Sequence, residues 1–357
     1  LTAEVPIANV CNVALDGKAV SIKDIARRAR VSHSTVSRAL RGSPLVNPKT
    51  AQRIQKIATA ANFRVSAVAR SLVSRRTFTI GVVVTTIADP FNAQVVSGIE
   101  DVANQRGYSV FLANSKSDPD REVRVVNSFD ERRVDGIIVT SSRVGTLYNS
   151  LLAHLHIPVV FLNNHNPAEY ANAVSIDNFQ ASKAAVEHLI ALGHRRIGYL
   201  GDAFGLQSDG DRQAGYRAAM EGAGLKIGRR SVEMGNGHAE GALRAMVRML
   251  DSGNQPTALF CYNDMTALGA LRVIHEHGLR VPEDISLVGF DDLPVTEYTN
   301  PPLTTIRQPM EQMGRRAMEI LNELLNGKKP ERETKFPGEL IVRQSTAPPP
   351  ATRVSKR

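Results

Sequence analysis

Ser32, His33, Ser34, Thr35, Ser37 and Arg38 crowd six polar side chains into seven consecutive positions, with Val36 the one apolar residue among them. Small hydroxyls, an imidazole and a guanidinium are groups that hydrogen-bond the edges of bases in a DNA groove. An arginine placed there grips guanine through two parallel bonds, worth about 1 to 3 kcal/mol of discrimination. The sequence holds no Gly-x-Gly-x-x-Gly after an apolar run, no Gly-x4-Gly-Lys-Ser/Thr phosphate loop and no Gly-x-Ser-x-Gly elbow. His275-Glu276-His277 has the residue types of a metal pair, but side chains two apart on a helix point apart, so both read as surface histidines. Cys11 and Cys261 are too distant in sequence to set a disulfide framework or a metal spacing. No catalytic residue, cofactor or metal is expected.

Those polar groups act only if a rigid element aims them outward. Ser21-Ile22-Lys23-Asp24 has the form of a capping box, and Ile22, Ile25, Ala26 and Ala29 repeat at helical spacing behind it. Ser32 caps a second helix through Leu40, with Val36, Ala39 and Leu40 inward, until Gly42 and Pro44 stop it. Asn47-Pro48 is a cap with a first-turn proline, opening a third helix whose Ala51, Ile54, Ile57 and Ala58 complete a small core. Three short helices with a tight turn between the first two make a helix-turn-helix, whose second helix enters the major groove. Arg38 then reads a guanine, with His33 and Ser34 on neighbouring bases. Asn47 joins the DNA-facing set. Lys23, counted with that set, and Lys49, Arg53 and Lys56 have two readings, phosphate contacts or a solvated face.

The charge follows the same division. Residues 18–76 hold fourteen bases against the single acid Asp24, net +13, while residues 77–357 hold thirty bases and thirty-two acids. The overall +9 is therefore one basic module, for nucleic acid or an anionic membrane, joined to a nearly neutral body. No apolar run reaches the roughly 18 residues that span a bilayer. Residues 1–17 lack the basic start of a secretory signal and read as a disordered or mis-assigned opening, so a reducing cytoplasm is expected.

From Phe78 onward, strand-like apolar runs alternate with helical stretches. The strands are Ile80–Val84, Tyr108–Leu112, Val134–Val139, Pro158–Leu162, Ile197–Leu200, Ala258–Cys261 and Ile285–Gly289. Helices are expected near 93–105, 121–132, 179–192, 212–223, 239–250 and 265–277. This is the signature of doubly wound parallel sheets, and about 280 residues exceed one comfortable core, so two lobes with a cleft between them are expected.

The stretches Ser21–Ala29 and Val31–Leu40 resemble, almost position by position, the headpiece of the lactose/galactose repressor family of bacterial transcription regulators. Asp89-Pro90-Phe91, Arg133–Ile138, His188–Ile197, Pro282–Asp292 and Pro302–Gln308 look like its core landmarks in the same order, so that the resemblance spans about 19–346. It implies an all-α headpiece on a two-lobed, periplasmic-binding-protein-like α/β core. The domains expected are a helix-turn-helix over 18–65, a hinge over 66–77, a core over 78–345 and a flexible tail over 346–357. Within the core, an N-lobe takes 78–177 and 308–336, a C-lobe 178–307 and 337–345, with crossings near Asp177, Arg307 and Phe336.

The resemblance also implies residue roles. Ser66–Leu72 matches the hinge helix, with Arg70 beside Leu72, the apolar wedge that enters the minor groove. Val65 and Ser66 stand where the family has Pro-Asn, and Arg30 where it has a turn glycine, which would cost about 1 to 2 kcal/mol if left-handed. Asp89, Phe91, Asn163, Arg212, Asn263 and Asp291 match the effector pocket, where an Arg and an Asp on opposite walls would hold vicinal hydroxyls and an aromatic face would cover the ring. Asn163 replaces a common Asp; Asn164, His165 and Ser208 read equally as loop surface. The expected protein is a cytoplasmic repressor, a homodimer on near-palindromic operator DNA, controlled by a small effector of carbohydrate type. Its rivals are a solute-binding protein of sugar transport and an α/β enzyme.

Overall fold

A computed structural model describes residues 20–63, 76–142, 144, 155, 157–164, 172–251 and 255–350. The opening segment 1–17, Val65, Ser66, Arg70 and Leu72 of the hinge, and His165 lie outside the described residues. The chain divides into two units, Leu1–Thr77 and Phe78–Arg357.

In the first unit the helices are α1 (Ile22–Ala29), α2 (His33–Leu40) and α3 (Pro48–Ala60). The capping box closes in both directions: Ser21 Oγ accepts the Asp24 amide, and the Asp24 carboxylate accepts the Ser21 amide at 3.0 Å. That bonding, with Ser21 foremost, holds the Asp24 carboxyl below its usual range. Ile25, Val36 and Ile54, each fully buried, bring one residue from every helix into the small core. Arg30 ends α1 in the left-handed region at φ 53°, where its amide still reaches Ala26 and Arg27 carbonyls. Arg53 is exposed, and its Nη2 donates to the Ala29 carbonyl at 3.0 Å, tying α3 to the end of α1.

The second unit runs β1 (Thr79–Val84), α4 (Pro90–Gln105), β2 (Ser109–Asn114), α5 (Pro119–Glu131), β3 (Gly136–Thr140), β4 (Val159–Leu162) and β5 (Asn172–Ile176). It continues with α6 (Asn178–Ala191), β6 (Ile197–Asp202), α7 (Gln207–Gly222), β7 (Val232–Gly235), α8 (Ala239–Leu250), β8 (Ala258–Cys261) and α9 (Asp264–Glu276). β9 (Ser286–Asp291), β10 (Thr304–Arg307), α10 (Met310–Leu325), β11 (Glu333–Phe336) and β12 (Glu339–Ile341) complete it. Two six-stranded sheets result, ordered β11-β5-β4-β3-β1-β2 and β12-β10-β9-β8-β6-β7. Every pairing is parallel except that of β12 with β10. The central strands β3, β4, β6, β8 and β9 are buried along their whole length, as a sheet covered by helices on both faces demands.

The chain leaves the first sheet after β5, returns from the second after β10, and crosses again between β11 and β12. α10 therefore belongs to the N-lobe, and it packs on α4 with backbones in contact: a Cβ on Gly98 would strike the Glu311 carbonyl, and one on Gly314 the Val95 carbonyl. Met313, Ala317 and Leu321 of α10 join Val82, Val95 and Ile99 in one core.

Two expectations need correcting here. α7 starts at Gln207, not Arg212, which puts Ser208 on its first turn, 3% exposed and bonded to the Tyr262 hydroxyl at 3.0 Å rather than on a loop surface. The tail is not free from 346 onward. Thr346 Oγ1 meets His188 Nε2 at 3.1 Å, and the Ala347 carbonyl and amide are taken by His194 and Ser286 at 2.8 and 3.0 Å. His194 is fully buried, and desolvation lowers its pKa. The His194 imidazole and the Ser286 hydroxyl thus tie Ala347 to the C-lobe.

Candidate functional site

On α2, His33, Ser34 and Arg38 are exposed, while Ser37 and Thr35 are half-buried and Val36 faces the core. Arg38 makes no side-chain hydrogen bond or ion pair with the described residues, so its guanidinium is at liberty to take an external acceptor. Ser32 is already engaged as the N-cap: its Oγ accepts the Thr35 amide at 3.1 Å and lies 2.8 Å from the hydroxyls of Ser34 and Thr35. Asn47 caps α3 by accepting the Lys49 amide at 3.0 Å, while Lys23 is exposed on α1. A helix with outward His, Ser and Arg, a hydroxyl-capped N-terminus and its apolar side buried has the chemistry to approach base edges.

In the body, both sheets reverse direction next to their first strand, between β1 and β3 and between β6 and β8. Loops leave in opposite directions at these points and open a crevice at the carboxyl ends of the strands. Residues after β1 (Asp89, Phe91), β4 (Asn163), β8 (Asn263) and β9 (Asp291), with Arg212 from α7, all line one cleft of about 500 Å³, its open mouth included.

The six residues are held differently. Asp89 caps α4 by accepting the Phe91 amide at 3.0 Å, and burial raises its carboxyl pKa despite the cross-cleft pull of His238. Phe91 turns its ring into the N-lobe core. Asn163 sits in the left-handed region at φ 56°, 6% exposed, its Oδ1 without a partner among the described residues. Asn263 caps α9, accepting the Thr266 amide at 2.8 Å and donating to the Gly237 carbonyl at 2.9 Å.

Arg212 and Asp291 do not stand on opposite walls. Both belong to the C-lobe, Arg212 on α7 and Asp291 at the end of β9, and they face each other at 3.9 Å. Arg212 is 2% exposed: its Nε donates to Asn178 Oδ1 at 2.8 Å, its Nη1 to the Tyr262 carbonyl, and its guanidinium lies 3.6 Å over the Phe290 ring. Burial drives the Asp291 carboxyl well above the usual range in spite of Arg212, and Gln308 Nε2 donates to it at 2.6 Å.

Asp291 and Asp292 have φ of 123° and 62°, conformations that side chains disfavour and that persist only where the surroundings impose them. Asp264 does so from inside. Its carboxylate accepts the Leu293 amide at 2.8 Å and the Thr305 hydroxyl at 2.6 Å, and takes a bond from the Phe290 backbone, so it grips the chain on both sides of the pair. Gly289 leaves room for it, since a Cβ there would collide with Asp264 Oδ1. From outside, Arg307 and Arg343 each hold Asp292 at 2.7 Å. Burial pushes the Asp264 carboxyl up to about 7. The sequence alone assigns no site role to Asp264 or to Gln308, the latter standing only at the end of the Pro302–Gln308 landmark. The first hides as an ordinary residue after a helix cap, and the second has meaning only as the step from β10 into α10.

Comparison with known proteins bears on both units. The model described as bacterial regulatory proteins, lacI family, matches residues 21–66, and that of a periplasmic binding protein-like domain matches residues 186–346. The HTH-type transcriptional repressor PurR of Aliivibrio salmonicida is 34% identical over 330 residues, 91% of this chain and 98% of that protein. Among solved structures, the lac repressor dimer bound to operator and the anti-inducer ONPF superposes with a TM-score of 0.85 at 30% identity, covering 92% of this chain and all of that one. The complex of the transcriptional regulator CelR with cellobiose gives a TM-score of 0.71 at 29% identity, with 91% of this chain and 99% of that one covered.

Proposed function

The chain belongs to the lacI family of bacterial regulatory proteins, and from that premise we propose that it is a cytoplasmic, homodimeric repressor whose α2 reads operator DNA and whose cleft takes a carbohydrate effector. The carrying observation is that polar residues from the carboxyl ends of both sheets converge on one buried cleft, in a chain that also bears a basic helix-turn-helix. The likeness to a sugar-bound regulator and to an operator-bound dimer supports both partners.

Coupling follows from the three crossings. A ligand that touches both walls favours one lobe arrangement, and an arrangement with different DNA affinity must answer with a reciprocal change in ligand affinity. Pairing of two bodies is supported by the likeness to a lac repressor dimer bound to operator. Two paired headpieces would present two α2 helices to half-sites of a near-palindrome. Binding rather than turnover is supported by the cleft's charged groups being tied to caps and internal bonds instead of standing ready for proton transfer. No helix among the described residues is long and apolar enough to cross a membrane.

Gel retardation of genomic DNA fragments by the full chain, with and without sugars that raise its melting temperature, tests this reading. Retention of specific fragments and a sugar-dependent change in that retention are expected. Chemical conversion of a bound sugar, or DNA binding indifferent to every bound sugar, would count against it.

A further inference from the structure

Two side chains of the C-lobe are packed into the N-lobe. Leu293, wholly buried, follows β9, and the half-buried Met265 lies on the first turn of α9; both elements belong to the C-lobe. Yet Leu293 shares one apolar cluster with Phe91 and Val95 of α4 and Met310 and Met313 of α10, and Met265 packs against the same cluster. Among the described residues, they are the two members of that cluster supplied neither by an N-lobe segment nor by a crossing. The apolar residues that follow Met265 on α9, Ala267, Ala270, Val273 and Ile274, face the C-lobe core instead.

The two ends of this contact differ in kind. On the C-lobe side the backbone of Leu293 is fixed by directional bonds: its amide donates to Asp264 at 2.8 Å, and its carbonyl accepts the Thr296 amide at 2.9 Å and the Thr296 hydroxyl at 2.7 Å. Asp291 and Asp292, at φ 123° and 62°, stand immediately before it. On the N-lobe side the contact is apolar, and apolar attraction has no preferred direction. A side chain rooted by hydrogen bonds in one lobe and held by packing in the other can turn in its socket, but leaves it only by exposing apolar surface to water.

The cleft meets this joint from two sides. Asp291, two residues before Leu293, and Asn263, two residues before Met265, both line the cleft, while Leu293 and Met265 do not. Asp264, between Asn263 and Met265, holds the Leu293 amide, so the two apolar side chains are tied together at their roots. Displacing either lining residue therefore pulls on the joint.

Resting on the reading that the lobes rearrange when an effector binds, we propose that Leu293 and Met265 form a fourth link between the lobes, an apolar pivot beside the three covalent crossings. It holds the ligand-free body in one arrangement and carries a movement of Asp291 or Asn263 to the N-lobe. Both are positioning residues, acting through their neighbours rather than on a ligand.

Electron double resonance on the full chain tests it, with nitroxides on Glu131→Cys of the N-lobe and Lys226→Cys of the C-lobe, both exposed positions, in a Cys11→Ser background. The labelled chain is diluted into excess unlabelled chain, so that only distances within one chain are read. With Leu293 and Met265 intact, one narrow inter-lobe distance is expected. Leu293→Ala widens the distribution, the minor arrangement gaining about 10-fold in population. Met265→Ala does the same and decides the matter if Leu293→Ala fails to fold, whereas the volume-conserving Leu293→Met keeps the distribution narrow. Met246→Ala, a cavity inside the C-lobe core, lowers the melting temperature without widening the distance, which separates a pivot from mere loosening. Folded Leu293→Ala or Met265→Ala with an unaltered distribution, equal widening by Met246→Ala, or a broad distribution with both side chains intact overturns the proposal. Gel retardation of genomic fragments by the same variants separates this from the regulatory reading. Widened distances with unchanged retention leave the pivot standing and count against regulation through the lobes. Unchanged distances alongside sugar-dependent retention remove the pivot and leave that regulation standing.

Discussion

Arg38 and Arg212 are both arginines on helices, each proposed to meet a ligand, and the molecule holds them oppositely. Arg38 stands exposed on α2 and its guanidinium pairs with no described residue, whereas Arg212 is 2% exposed and is fixed by an amide oxygen, a carbonyl and an aromatic ring. The difference matches what each would bind. DNA is large, charged and supplies acceptors in quantity, so the reading group is best left mobile and solvated until contact. A small ligand offers few contacts, so its site must be ordered beforehand or the ordering subtracts from affinity.

The largest effect that would break this contrast is at Arg212. Arg212→Ala strands Asp291 in a buried site, and the body should lose about 3 to 5 kcal/mol along with its effector response. Denaturant unfolding of the full chain reads the loss, and a value under about 1 kcal/mol would make Arg212 as loosely held as Arg38. Next comes pH. Asp264 titrates near 7 in the fold against 3.8 for the free group, so the folded body keeps a proton that the unfolded chain has released. That stability is fully present below pH 4, fades as pH rises and is gone above 7. The melting temperature of the body should fall over that window, and Asp264→Asn should flatten the fall.

At the headpiece the sign of the experiment reverses. Arg38→Ala should leave stability within about 0.5 kcal/mol yet forfeit about 1 to 3 kcal/mol of preference at one base pair. Binding-site selection on randomised DNA measures it; unchanged preference would remove α2 from the role proposed. The smallest effect is at the left-handed Arg30, where Arg30→Gly should relieve about 1 kcal/mol of backbone strain, seen as slower amide exchange in α1 and α2.

The same contrast governs what could be read without a structure. An exposed polar face over a small apolar core leaves its period in the sequence, so the capping box, the three helices and the outward set on α2 are all legible. The alternation of strands and helices in the body is equally plain, because strands buried on both faces are continuous apolar runs. Networks are not. Arg212 and Asp291 both fall in the segment assigned to the C-lobe, so opposite walls were never open to them. Asp264 acts through residues about 29 and 41 positions away in sequence, and no local pattern marks it. α10 carries Met310, Met313, Ala317, Ile320 and Leu321 at helical spacing, a period that the sequence does contain.

The pairing of Gly98 with Gly314 has a consequence for how the protein is made. α4 is complete on the ribosome long before α10 exists, and β11, which closes the edge of the first sheet, follows α10. At about 5 to 20 residues per second, some ten to thirty seconds separate β5 from its neighbour β11. Through that interval the N-lobe has an open sheet edge and a bare apolar helix face while all of the C-lobe sheet except β12 is synthesised. The half that is translated first thus waits for nearly the whole of the other, and a message cut short anywhere before residue 336 leaves both lobes unfinished rather than only the second.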